Sequence, residues 1–257
     1  MKKLVSFLAV ALAATSMNLF ADGHGHGEKL KLKIAVDVPY EPFEFKASDG
    51  SLTGFEIDLG NAVCAEIMAE CEWVIQAWDG IIPGLLARKY DLIFSSMSIT
   101  EERAKKVLFS DGYYITPSAW FGKAGMNVDV TSKEALKGKK IGVQRGTIQD
   151  NYVSENFGDV ADVKRYTTAD DLVLDLTGGR TDLVFLDFPV GESTVVKKIE
   201  GYAVIGSQMQ LGEAIGAAFR QRDKELAEKF NKALKKLKEN GTYDAIMKKY
   251  FAYSIKV

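Results

Sequence analysis

The residues with the most chemistry in the shortest span are Asp91-Leu92-Ile93-Phe94-Ser95-Ser96-Met97-Ser98-Ile99-Thr100-Glu101-Glu102-Arg103. Three apolar residues after an aspartate read as a strand, and Ser95 to Thr100 as the small-residue turn that ends it. Thr100 is an N-cap residue type, and Glu101 and Glu102 stand where a helix's first turn favours acids. The hydroxyls of Ser95, Ser96 and Ser98 therefore collect with exposed backbone N–H groups at a strand's carboxyl end. Arg103 lies one helical turn past the cap, within reach of the same spot. A planar fork of donors beside hydroxyls and amides suits a carboxylate. A strand, a turn and a solvated arginine is the plainer alternative.

Other stretches carry chemistry of the same kind. Gln144-Arg145-Gly146-Thr147-Ile148-Gln149-Asp150 follows a short apolar strand. Gly146 allows a turn, and Thr147 or a neighbour caps a helix whose N-terminus attracts an anion, with an ordinary capped turn as the plainer alternative. Thr181 to Asp187 is an apolar strand finishing in an acid. A carboxylate at the end of a buried strand is costly without a cationic partner, whether that is a ligand or a lysine or arginine of the chain. Asp37 and Tyr40 stand in a loop where Pro39 and Pro42 stop both helix and ladder. Trp78 precedes a short helix, and core packing is its default role. Cys64 and Cys71 are either a bridge or two buried thiols; they lack the spacing of a redox-active pair.

The elements that must position these residues alternate. Leu30–Val36 alternates apolar residues with lysines, a half-buried strand. Leu59, Val63 and Ile67 stripe a first helix, and Trp73–Gln76 is a second strand. Residues 116–122 form a strand, Asp170–Leu176 a helix ended by Gly178-Gly179, and Glu225–Lys238 an amphipathic helix. Thr242 is read as the cap of a last helix that follows Asn240-Gly241. Strands alternating with helices define an α/β class with largely parallel sheets.

Composition bounds the partners. The chain has 257 residues, with 33 basic and 35 acidic ones and a formal net charge of −2. That balance argues against nucleic acid or an anionic membrane surface as the main partner. Lys2 and Lys3, the apolar Leu4–Ala14 and the small Ala21 read as a signal peptide over residues 1–21, so an exported mature protein is expected. His24 and His26 sit among glycines, with no other histidine in the chain. They are read as a polar tail without a metal role, and no cofactor is expected.

With these residues in view, Ser95-Ser96-Met97-Ser98-Ile99-Thr100-Glu101-Glu102-Arg103 resembles the ligand-carboxylate motif of bacterial periplasmic amino-acid-binding proteins. These are the solute receptors of family 3 that feed ABC importers. The C-terminal Asn240-Gly241-Thr242-Tyr243-Asp244, continuing to Lys249-Tyr250-Phe251, resembles that family's signature as well. The resemblance implies a two-lobe, type II binding-protein fold with two crossover hinge strands. It places lobe one at 22–115 and 208–257 and lobe two at 116–207. It also implies a Cys64–Cys71 disulfide, as in lysine/arginine/ornithine- and histidine-binding relatives. Arg103, Ser98 and Thr147 are then expected to take the ligand carboxylate, and Asp187 its α-ammonium. Asp37, Tyr40, Trp78 and Ser95 are left for the side chain, and Ser96 and Gln149 complete the set. Many relatives have a second threonine where this chain has Ile148, which leaves the carboxylate more dependent on backbone N–H groups and Arg103.

The expected function is a monomeric periplasmic receptor that closes on a free amino acid and delivers it to a membrane permease. Asp37 repels an acidic side chain, and two flat rings suit a planar cation. Arginine is therefore the expected ligand, ahead of lysine, ornithine and histidine, with glutamine as the alternative. A dehydratase-type enzyme on the same scaffold is a reading of another class. No nucleophile–base pair is evident, so no catalytic residue is assigned. A sensor ectodomain would require a spanning or signalling segment, and none is read before Val257.

Overall fold

The computed structural model describes residues 29–257. The signal peptide and the His24/His26 stretch lie outside the described residues. Twelve strands are found: β1 (Lys31–Val36), β2 (Phe45–Lys46), β3 (Leu52–Thr53), β4 (Glu70–Ile75), β5 (Leu92–Ile93), β6 (Leu108–Phe109), β7 (Ser118–Lys123), β8 (Lys140–Gln144), β9 (Asp162–Tyr166), β10 (Leu183–Asp187), β11 (Tyr202–Met209) and β12 (Ala218–Phe219). They form two five-stranded sheets, ordered β4-β1-β5-β12-β6 and β11-β7-β10-β8-β9, and β2 and β3 form a small hairpin. In each sheet one strand runs against the other four. It is β12 in the first sheet and β7 in the second.

Each sheet is a layer with helices packed against it. In β1, Lys31 and Lys33 are exposed while Leu32, Ile34, Ala35 and Val36 are buried. The strand thus begins half-covered and ends with both faces enclosed, as a central parallel strand requires. Under the first sheet, Phe43, Phe55, Phe94, Phe219 and Phe230 share one core. The helix Lys224–Glu239 supplies Phe230, Ala233, Leu234 and Leu237 to it from a single face. Under the second sheet, Trp120 stacks on Phe185 at 4.4 Å.

The chain leaves the first sheet after Phe109 and returns to it at Ala218. The two connecting segments lie side by side. Tyr113 N–H donates to the Ile215 carbonyl at 3.0 Å, and Ile215 N–H donates to the Tyr114 carbonyl at 2.8 Å. Cys64, in the helix Phe55–Glu66, is disulfide-bonded to Cys71 in β4. The Cα–Cα distance of 6.2 Å lies in the ordinary range for a bridge.

Local chemistry sets where the helices begin. Thr100, Thr147 and Thr168 each accept a backbone N–H three residues on, the N-cap bond their side chains allow. Thr242 differs from the sequence reading. Gly241, at φ 82°, is the residue before the last helix, and Thr242 is its first helical residue. No side chain caps this helix; the Asn240 side chain accepts the Thr242 N–H at 3.0 Å, a turn contact just before it. Gly54, at φ 127°, packs so tightly on the Phe43 carbonyl that a Cβ has no room. The helix Phe55–Glu66 therefore starts directly on the Pro42–Glu44 loop, with Glu56 N–H donating to the Phe43 carbonyl at 2.9 Å. This contact brings Glu44 and Glu56 together below the cavity between the sheets.

Candidate functional site

All ten residues singled out for binding in the sequence line one cavity between the two sheets, of about 320 Å³. The residues arrive at carboxyl ends of β1, β5, β8 and β10 or at the helix starts that follow, where open α/β sheets present ligand-binding groups.

One end of the cavity is built for an anion. Arg103 is held by two backbone carbonyls: Nη1 donates to Ser98 O at 3.0 Å and Nη2 to Gly146 O at 3.4 Å. Its guanidinium lies 5.2 Å from the centre of the Trp78 ring. Burial lowers its pKa to about 10, which leaves it charged at neutral pH. Opposite stands the N-terminus of the helix Ile148–Phe157. The first N–H groups of a helix have no preceding carbonyl to bond, and Ile148 and Gln149, at this start, line the cavity. The Thr147 hydroxyl is occupied, donating to Gln144 O at 2.8 Å and accepting from Asp150 N–H at 3.1 Å. It caps the helix that presents those N–H groups. Ser98 is buried beside Arg103, and its hydroxyl bonds no protein atom among the described residues.

Asp187 sits at the junction of the two sheets. The Tyr40 hydroxyl donates to its Oδ2 at 2.6 Å, and Gln149 Nε2 donates to its Oδ1 at 3.0 Å. Burial pushes its pKa up to about 6, against the pull of those hydrogen bonds and of Arg103. Asp37 mirrors it at the far end. Gln144 Nε2 reaches across the cleft and donates to Asp37 Oδ2 at 2.7 Å. Burial again dominates and raises Asp37 to about 6.

Ser95 and Ser96 are directed elsewhere than at the cavity centre. Ser95 Oγ accepts from Asp37 N–H at 2.8 Å and donates to Glu44 Oε1 at 3.0 Å. Ser96 Oγ accepts from the Tyr114 hydroxyl at 2.8 Å and donates to Glu44 Oε2 at 3.4 Å. Both hydroxyl protons are therefore spent on Glu44. Trp78 also has a partner, since its Nε1 donates to Gly146 O at 3.1 Å. One face of its ring carries Arg103, so its packing partner is the protein's own guanidinium.

Three lining residues lie outside the sequence-derived set: Glu44, Gln144 and Ile148. Each had a signal. Glu44 is a charge inside the apolar run Pro42-Phe43-Glu44-Phe45. Gln144 is the last residue of β8, the same kind of position as Asp187 at the end of β10. Ile148 occupies the helix start, and its side chain closes the wall where a hydroxyl was expected to be missed.

Among the described residues, Asp37, Glu44, Glu56 and Asp187 are all buried, and none forms an ion pair within 4.0 Å. Buried carboxylates left without a cation are costly. A site of this composition is completed by a molecule that brings one anionic group and positive charge.

Residues 32–253 match the family described as bacterial extracellular solute-binding proteins, family 3. The chain is 40% identical over 262 residues to the L-arginine-binding protein of Pseudomonas aeruginosa, covering 99% of this chain and 98% of that protein. It is 37% identical to the lysine/arginine/ornithine-binding periplasmic protein of Escherichia coli, covering 85% of this chain and 86% of that one. Two solved structures of an ancestral arginine-binding protein, one bound to arginine and one to glutamine, match with TM-scores of 0.82 and 0.81. Both are 37% identical, covering 86% and 87% of this chain and 98% of theirs. The fold, the cavity and the sequence agree, and this chain belongs to the bacterial extracellular solute-binding proteins, family 3.

Proposed function

We propose that this protein is an exported receptor for a free basic amino acid, with arginine as the first choice. It captures the ligand by closure of two lobes, residues 22–115 with 208–257 and residues 116–207, and hands it to the permease of an ABC importer. The observation that carries the reading is the charge layout of the cavity. Arg103 and the helix start at Ile148 answer an α-carboxylate, and Asp187 answers an α-ammonium. Asp37 and Glu44 are left for a second positive charge at the far end. Relatives named for arginine and for lysine, arginine and ornithine support the same choice. A periplasmic relative and the leader read at residues 1–21 support export. Both relatives are named as binding proteins, which supports a receptor over a dehydratase. Incubation with prephenate or arogenate is expected to yield no product.

A glutamine ligand is the second reading, favoured by one contact. Gln144 Nε2 already satisfies Asp37 at 2.7 Å, so an amide can do what a guanidinium is assigned to do. A thermal-shift screen of the twenty amino acids with ornithine, citrulline and octopine separates the two. A ligand that binds only the folded state raises the melting temperature by mass action. Large shifts with arginine, lysine or ornithine and none with glutamine are expected. A shift with glutamine alone overturns the basic-ligand reading and leaves the receptor reading standing.

A further inference from the structure

Glu44 and Glu56 are an acid pair buried behind the ligand cavity, and the binding scheme above uses only one of them as bare charge. Glu44 lines the cavity and is 1% exposed, while Glu56 is fully enclosed. Both are tied to Ser96. Its N–H donates to Glu56 Oε2 at 2.7 Å, and its hydroxyl donates to Glu44 Oε2 at 3.4 Å. Ser96 holds φ at 48°, the left-handed region that non-glycine residues seldom adopt, and this turn aims its N–H at Glu56. The donors are divided unequally. Glu56 receives the Ser96 N–H and the Tyr113 hydroxyl. Glu44 receives only serine hydroxyls, and the Ser96 bond is long. Two carboxylates this close, in a dry site without a cation, do not both ionise. Burial raises Glu56 to about 7, but with a backbone N–H and a tyrosine hydroxyl on it Glu56 holds the charge better, and Glu44 keeps the proton.

We propose that Glu44, hung from Ser95 and Ser96 against Glu56, is the residue that distinguishes a cationic side chain from a neutral one, releasing its proton to solvent when the cation enters. The proposal rests on the receptor reading and deepens it. A neutral side chain of the same size leaves the proton in place. A guanidinium or ammonium in the cavity replaces it: the Glu44 O–H bond breaks, the proton passes to buffer, and the carboxylate pairs with the ligand's charge. The other groups around Glu44 are Asp37 from the end of β1, Tyr40 from the same loop, and Tyr113 and Tyr114 from the connecting segment. Arg103 and Asp187 face the shared cavity from its other end. The three tyrosines are held neutral by burial. Asp37 and Asp187 titrate near 6 and are largely ionised by pH 7.5. At that pH the acid pair is the remaining source of a proton. Burial, with Glu56 beside it, raises the Glu44 carboxyl well above the usual range.

The experiment is calorimetric titration of the full mature protein at pH 7.5 in buffers of different ionisation enthalpy, which counts protons released per ligand. The wild type is expected to release close to one proton with arginine and close to none with citrulline or glutamine. Glu44→Gln is expected to remove the release and to weaken arginine at least tenfold while leaving citrulline nearly unchanged. Arginine binding without proton release in the wild type overturns the proposal, whatever the variant does. Release that persists undiminished in a folded Glu44→Gln overturns it as well. If no basic amino acid binds the wild type at all, it is the receptor assignment that fails, which the wild-type titration alone distinguishes.

Discussion

In the proposed binding scheme, Arg103 is the residue that takes the ligand carboxylate. Two of its N–H groups are spent on Ser98 O and Gly146 O, which fix the plane of the fork. An ammonium at that position offers no fixed second donor. Arg103→Lys is therefore expected to weaken arginine binding about 10- to 100-fold, the worth of one charge-assisted hydrogen bond, as measured by calorimetry. Wild-type affinity in that variant would show that the carboxylate lies elsewhere. Asp37 and Asp187 set a pH dependence. Their folded pKa values, about 6, stand above the ordinary aspartate value. The stability they lend the ligand-free protein is full below the ordinary value and is lost as pH rises through about 6. A cationic ligand pulls both values down, and the two carboxyl groups release their protons to solvent as it binds. Arginine affinity is thus expected to rise from pH 5 to pH 7, by up to about tenfold over that window for each carboxylate that must ionise. A flat profile over that window contradicts the assignment of both acids.

At this scale the sequence was informative where a polar residue ended an apolar run. Asp187, Arg103 and the Ser95–Ser98 turn were legible because strand ends and caps follow local rules. The directions of the serine hydroxyls were not. Whether Ser95 Oγ points at the cavity or at Glu44 depends on the Gly54 contact, which brings the Pro42–Glu44 loop over the serine turn. That is a tertiary fact with no local signature. Gln144 was missed for a related reason: its partner Asp37 is 107 residues away.

The elements around the site carry their own tests. The helix Phe55–Glu66 presents Glu56 to the serine turn, and the Cys64–Cys71 bridge ties the far end of that helix to β4. Closing so short a loop adds about 2–3 kcal/mol in the chain-entropy model. For a chain of this size, Cys64→Ser with Cys71→Ser is expected to lower Tm by about 5–10 °C. Arginine affinity should change little, because neither sulfur lines the cavity. An unchanged Tm refutes the stabilising role, and mass spectrometry of unreduced exported protein checks that the bridge forms. The helices at Thr100 and Thr147 were readable from their caps, while the Thr168 cap was found only in the structure. The last helix was placed correctly but starts one residue earlier, with Gly241 in the left-handed region before it and no side-chain cap. The two-residue strands β5, β6 and β12 leave too short a hydrophobic pattern to be delimited from sequence.

At the scale of the whole molecule, polar contacts cross the cleft on several sides. Tyr40 reaches Asp187 and Gln144 reaches Asp37 inside it. At one rim, Glu41 accepts from Ser193 Oγ at 3.0 Å and from Lys198. At the other, Trp78 reaches Gly146 O. A ligand bound by both sides favours this arrangement over an open one through its differential contacts. Small-angle scattering is expected to give a smaller radius of gyration with saturating arginine than without ligand. No change on saturation contradicts closure. Lys198 is half-exposed, so Lys198→Ala is expected to cost only a few-fold in affinity, through loss of the closed state.

The central claim is that the far end of the cavity reads positive charge. Arginine and citrulline share size and shape and differ in that charge, so a paired calorimetric titration at pH 7 isolates it. The charge layout set by Asp37 and Glu44 predicts that arginine binds at least about 100-fold tighter than citrulline, the range of charge-assisted hydrogen bonds in a dry site. Equal affinity for the two, or a preference for citrulline, would contradict the account.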